Sequence, residues 1–160
     1  MELHETKIDL GKDEREKLVE ILNRSLADAM DLKSQAKQAH WNVKGSNFIA
    51  LHELFDQVAI QVETHVDDIA ERVTSLGGTA MGTVRIAAER SSLSQYPLEI
   101  SDGTAHVDAL STALADFGRK VRKCIDETDK LGDANTADLY TGISRSIDKL
   151  LWFVEAHNQA

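Results

Sequence analysis

The 160-residue chain suits one domain that buries most of a sizeable core without disulfides or a structural metal. Its 42% hydrophobic and 28% charged content is ordinary for a globular protein, while one proline and 5% aromatic residues disfavour a strand-rich sandwich and favour an all-α fold. A net charge of −9 works against nonspecific nucleic-acid binding, which rests on Lys and Arg neutralising phosphates, and makes cations the more natural partners.

A short tail, residues 1–12, is expected to precede a domain spanning 13–160. The first helix is predicted from about Asp13 to Val43, with Leu18, Leu22, Leu26, Ala29, Lys33, Ala36 and His40 at steps of three or four, stopping at Gly45. The second runs from Phe48 to Leu76 behind Asn47, a suitable N-cap, and ends at Gly77-Gly78. Its stripe is Leu51, Phe55, Val58, Val62, Val66, Ile69 and Val73. About twenty-five residues then intervene, within which Thr83 to Glu89 suits a short helix and Tyr96-Pro97 is extended or turned. A third long helix follows Asp102-Gly103 with Val107, Leu110, Leu114, Phe117, Val121, Ile125 and Thr128, down to Gly132. A fourth starts around Asn135, with Asp138 in its first turn, and carries Leu139, Ile143, Ile147, Leu150 and Val154 to near His157.

The connections set the topology. Links at 44–47 and 132–135 are short enough to require antiparallel neighbours, whereas the middle segment can traverse a helix about 45 Å long. The expected fold is an all-α four-helix bundle with one long crossover that carries a short helix, which is the ferritin-like arrangement. Cys124 is the only cysteine, so no intrachain disulfide forms. No apolar segment follows a basic start, and no run approaches the roughly 18 apolar residues of a membrane span. A cytoplasmic location is the expectation.

The chemistry-bearing pattern lies on the second helix. His52 with Asp56, and Asp67 with Glu71, are i,i+4 couples that each project two ligating groups from one face. Fifteen positions separate 52 from 67, about 22 Å at the helical rise, so no single site within one chain contains both couples. Two antiparallel copies related by a two-fold axis near residues 61 and 62 would join the 52/56 end of one to the 67/71 end of the other, building two equivalent sites per dimer. Imidazole and carboxylate ligands suit iron, manganese and zinc. His40 closes the first helix beside this end. The usual ferritin-like pair of Glu-x-x-His motifs is absent. Taken singly, each of these residues also fits a hydrogen-bonded core histidine or a solvated helix face. His4, His65, His106 and His157 belong to no comparable constellation and are expected in surface or core roles.

The stretch KQAHWNVKGSNFIALHELFDQVAIQVETHVDDIAERVTSLGG, Lys37 to Gly78, resembles the signature of the Dps family, the ferritin-like DNA-binding proteins from starved cells. The likeness continues through Gln95-Tyr96-Pro97-Leu98 and SRSIDKLLWFVE, Ser144 to Glu155. It implies intersubunit ferroxidase ligands at His40, His52 and Asp56 of one subunit and Asp67 and Glu71 of its mate, a di-iron or mixed-occupancy site at the two-fold interface. It also implies oxidation of ferrous iron, preferably by hydrogen peroxide, with ferric mineral stored in a hollow homododecamer. Trp41 resembles the family's tryptophan near the site, which accepts an oxidising equivalent; buried packing is the alternative role. Glu53 and Glu63 are weaker candidates for mineral nucleation. Arg72 and Asp148 resemble an ion pair at a three-fold contact. Asp133 and Asp138 resemble acids that line the other three-fold opening, although Asp138 is equally a helix-start acid.

The termini depart from the family's name. Residues 1–17 hold six acids (Glu2, Glu5, Asp9, Asp13, Glu14, Glu16) against four bases (Lys7, Lys12, Arg15, Lys17), where DNA-binding members carry basic tails, and His157-Asn158-Gln159-Ala160 adds no basic extension. Iron protection without DNA compaction is expected. Two alternatives stay open: a DNA-binding, nucleoid-protecting protein, and a helical assembly with a structural zinc or manganese site.

Overall fold

The computed structural model describes residues 3–159; Met1, Glu2 and Ala160, which fall in the expected tail and domain, lie outside the described residues. Five helices account for the fold: α1 Lys12–Asn42, α2 Phe48–Ser75, α3 Val84–Arg90, α4 Gly103–Lys130 and α5 Ala134–Glu155. No strand occurs among the described residues. The hairpins α1–α2 and α4–α5 pack together through α1 and α4, and the long crossover carries α3 against α1.

The helical period explains each buried face. Leu18, Leu22, Leu26, Ala29, Leu32, Ala36 and Ala39 of α1 meet Leu51, Phe55, Val58, Val62, Ile69 and Val73 of α2, all essentially without solvent contact. Val107, Leu110, Leu114, Phe117 and Val121 of α4 complete the core with Ile143, Ile147 and Val154 of α5. Three stripes shift by one residue from expectation. On α1 Leu32 and Ala39 are buried where Lys33 and His40 were expected. On α2 His65, not Val66, faces inward and bonds Ser146 Oγ through Nε2 at 2.8 Å. On α5 Tyr140 replaces Leu139 as the deepest side chain and donates to Ser25 Oγ at 2.9 Å. A step of three or four leaves adjacent residues nearly equivalent in phase, and on α2 and α5 the polar partner across the core decides which one is drawn in.

Side chains cap α3, α4 and α5: Thr83, Asp102 and Asp133 accept from Ile86 N, Ala105 N and Thr136 N. Asn47 occupies the expected N-cap position of α2, but its side chain makes no capping bond. The crossover is fastened by three buried polar residues of α1. Asn23 bonds Thr79 O and Met81 N, Asp28 accepts from Ser92 N at 2.6 Å, and Gln35 donates to Ser94 O at 3.0 Å.

The N-terminal segment is docked on the bundle. His4 N donates to Gly77 O at 2.8 Å, Arg15 Nη1 donates to Leu76 O at 2.9 Å, and Leu3, Ile8 and Leu10 pack against the core. Gly77 has φ +88°, and a Cβ there would collide with His4 O, so both the turn and the docked segment require glycine.

Candidate metal centre

The turn from α1 to α2 folds His40, in the last turn of α1, against His52, in the second turn of α2. Their rings stack with centroids 3.8 Å apart. His40 Nδ1 lies 2.7 Å from His52 O, and His52 Nδ1 lies 2.9 Å from His40 O. A carbonyl can only accept, so each Nδ1 carries a proton and Nε2 is the nitrogen left for a ligand. This is the arrangement a metal-ligating histidine needs, fixed by a backbone carbonyl behind it. The same contact satisfies the His40 carbonyl, one of the orphan acceptors at the end of α1. Phe48 flanks the His52 ring at 5.1 Å, completing a wall of three rings.

Asp56 follows His52 by one turn of α2, and its Oδ1 accepts from Lys37 Nζ at 2.7 Å. The Lys37 hydrogen bond holds the Asp56 carboxyl below its ordinary range against the opposing effect of burial, with nearby positive charge at Lys37, His40 and His52 adding to the lowering. Lys37 also lies over the Trp41 ring, 5.7 Å from its centre. Trp41 is 67% exposed, so packing within its own chain does not account for it.

Asp67 and Glu71 lie fifteen residues beyond the His52/Asp56 end of the uninterrupted α2, on its exposed side. Neither carboxylate has a hydrogen bond or ion pair among the described residues. A single chain therefore brings His40, His52, Asp56 and Trp41 together and leaves Asp67 and Glu71 apart. Among the described residues, no three His, Cys, Asp or Glu side chains of one chain converge to hold a metal ion. The outer face of α2 nevertheless reads as one stripe at steps of three and four: Ile49, Glu53, Asp56, Ile60, Glu63, Asp67 and Glu71. Ile49 and Ile60 on it are 61% and 63% exposed, apolar surface left uncovered by the described residues. Glu63 is paired with Lys33, and Glu53 is exposed.

Within one chain, Arg72 and Asp148, expected to pair at a three-fold contact, each engage another residue. Arg72 Nη2 donates to both oxygens of Asp133, at 2.9 and 2.8 Å, and its Nε donates to Thr136 Oγ1; Asp148 accepts from Arg122. The expectation for Asp133 is corrected. At 3% exposure it is a buried helix cap that fastens the end of α2 to the start of α5, not a side chain free to line an opening. Burial pushes its carboxyl upward, but hydrogen bonds from Thr136 and Arg72 outweigh this and hold it below the ordinary range. Asp138 remains exposed. His4 and His157 are exposed, whereas His65 and His106 are buried, so the mixed surface and core expectation holds.

Lys37 was invisible to sequence reading. A lysine three residues before a candidate ligand looks like any solvated charge, and only the close packing of α1 on α2 sets it against Asp56. Its i,i+4 spacing to Trp41 was the one available signal.

Comparison with known proteins places this geometry. Residues 19–160 match the model of the ferritin-like domain. The chain is 46% identical over 159 residues to the DNA protection during starvation protein of Agrobacterium fabrum, covering 99% of this chain and 98% of that one. Among solved structures, DpsA14 from Streptomyces coelicolor superposes with a TM-score of 0.94 at 32% identity, covering 100% of this chain and 96% of that one. The Dps of Microbacterium arborescens, solved in a high iron form, superposes with a TM-score of 0.85 at 31% identity, covering 92% and 95% of the two chains.

Proposed function

The chain belongs to the Dps family of ferritin-like proteins, and on that premise we propose that it is a ferroxidase and iron-storage protein whose reaction centre is shared between two subunits. His40, His52 and Asp56 of one subunit bind ferrous iron together with Asp67 and Glu71 of its two-fold mate. Hydrogen peroxide is the preferred oxidant, and ferric mineral collects inside a homododecamer in the cytoplasm. Iron is here the substrate and cargo, held at a di-iron or mixed-occupancy site.

The observation that carries the reading is the reciprocal clasp between His40 and His52. Two imidazoles whose Nδ1 atoms donate to backbone carbonyls, one turn from a carboxylate, form half of a nitrogen and oxygen ligand set. The other half is the unpaired Asp67/Glu71 couple on the same exposed stripe. An antiparallel copy of α2 centred between residues 61 and 62 sets position 56 against 67 and position 52 against 71. The exposed Ile49 and Ile60 supply apolar contact for that pairing. The high iron form described for the Microbacterium arborescens relative supports iron as the metal.

The chemistry asked of these residues is modest. Hard carboxylate oxygens favour the ferric over the ferrous state, so a site rich in them draws iron toward oxidation, while the imidazoles hold the ferrous ion that arrives first. Exposed Trp41 beside the site is placed to take up an oxidising equivalent. DNA binding is the weaker reading, because the net charge is −9 and the His4 segment is held on the bundle.

The test is anaerobic loading of metal-free protein with ferrous iron followed by a peroxide pulse, with ferric absorbance and residual peroxide both recorded. Rapid oxidation in wild type and its loss in His52→Ala support the site. If wild type consumed no peroxide, the ferroxidase reading would be abandoned in favour of a structural metal.

A further inference from the structure

Lys37 sits one turn before His40 on α1, its Nζ 2.7 Å from Asp56 Oδ1 and 5.7 Å from the Trp41 ring centre. The side chains of Lys37 and Asp56 are 30% and 38% exposed. The bundle does not need this pair to hold α1 on α2, since the apolar stripe does that and a water-accessible ion pair adds little to folding.

Its position matters for the shared site. That site gathers Asp56 with the partner's Asp67 and the partner's Glu71, three carboxylates beside two imidazoles. Without a cation these three negative charges repel one another and oppose closure of the interface. Lys37 is the cation that the chain itself presents to this cluster. Lys33, one turn earlier, is already paired with Glu63.

We propose that Lys37 is the resident counter-charge of the metal-free site, occupying Asp56 until a divalent cation takes that carboxylate and displaces it. This rests on the intersubunit reading proposed above. Lysine suits such a role, because its ammonium is a point charge on a flexible stem that leaves by side-chain rotation without giving up its proton. Guanidinium would bind a carboxylate through two parallel bonds and release it less readily. The exposed face of Trp41 offers the displaced ammonium a second contact.

The proposal has an unusual signature, since removing the charge should act in opposite directions on the two states of the site. The full chain is compared with Lys37→Met, which keeps the stem and loses the charge, and with Lys37→Arg, which keeps the charge. Cobalt(II) is titrated into metal-free protein by calorimetry, and subunit association of the metal-free protein is followed by sedimentation, with circular dichroism to verify folding. Lys37→Met is expected to bind cobalt about fivefold more tightly while its metal-free subunits dissociate at about fivefold higher concentration, the upper range for an exposed ion pair. Lys37→Arg is expected to keep metal-free association and to bind cobalt no more tightly than wild type. If Lys37→Met weakened both properties, Lys37 would be an ordinary packing residue; if it changed neither, the pair would be incidental. Either result overturns the proposal. Absence of stoichiometric cobalt binding by wild type would overturn the intersubunit site itself, which is a separate outcome.

Discussion

Subunit mixing tests the divided site more stringently than any single substitution. His52→Ala removes a ligand from the α1–α2 corner, and Asp67→Ala removes one from about 22 Å away along α2, so each homodimer has two defective sites. When equal amounts are dissociated and reassociated at random, about half the dimers carry one subunit of each kind. In such a dimer one shared site collects both lesions and the other collects none. About half of the sites in about half of the dimers are therefore intact, and the mixture should regain about a quarter of wild-type oxidation, starting from two nearly inactive parents. The assay is peroxide-dependent ferric absorbance after anaerobic iron loading. A mixture of His52→Ala and Asp56→Ala supplies the control, because those ligands lie on the same half-site and every mixed dimer still has two defective sites. Recovery in the control, or none in the His52/Asp67 mixture, would refute the two-fold arrangement.

Three further outcomes follow from the geometry. Asp133→Ala strips the half-buried Arg72 guanidinium of its carboxylate partner and α5 of its cap, and urea denaturation should show a loss of roughly 2–4 kcal/mol. His106 is neutral in the fold: burial lowers its value below the ordinary 6.5, against smaller opposing effects of Asp102 and the Asn42 and Ile100 backbone. The unfolded chain therefore takes up this proton first, so the contribution to stability is complete above pH 6.5 and shrinks as the pH falls through the window below it. His106→Gln, which keeps a polar group able to bond Tyr96 OH, should flatten the stability curve across that window when urea midpoints are compared at several pH values. In gel retardation at about 0.15 M salt, the protein should leave linear DNA unshifted, and a salt-sensitive shift would show that the charge argument fails.

The long helices were legible because their apolar periods are uninterrupted and glycines 45, 77 and 132 stop them, so boundaries agree within one or two residues. What escaped were pairings between distant positions. Asn23, Asp28 and Gln35 lie buried in an otherwise apolar stripe, which a period reading treats as interruptions; their partners in the crossover are 56 to 64 positions away. Arg72 illustrates the same limit, since sequence offered several acids and only the packing of α2 beside the α4–α5 turn selects Asp133. For the candidate centre, ligand types and spacing were readable, and so was the impossibility of joining 52/56 to 67/71 in one chain. Which ring nitrogen is left for a ligand was not readable, because it depends on two backbone carbonyls exposed by the α1–α2 corner.

That contrast between the two halves of the site bears on how assembly and chemistry are linked. The imidazole half is built before any partner arrives, with ring stacking and two backbone hydrogen bonds fixing both histidines, so little side-chain freedom remains to be lost when metal binds. The carboxylate half, Asp67 and Glu71, is held by no hydrogen bond or ion pair among the described residues and costs little to reposition. On the proposed intersubunit reading, joining a rigid nitrogen-bearing half to an adaptable oxygen-bearing half would let one site accommodate both ferrous and ferric ions, whose preferred ligands and distances differ. A single subunit brings together neither the charge nor the ligand count for this, so the proposed oxidation would be confined to the assembled protein.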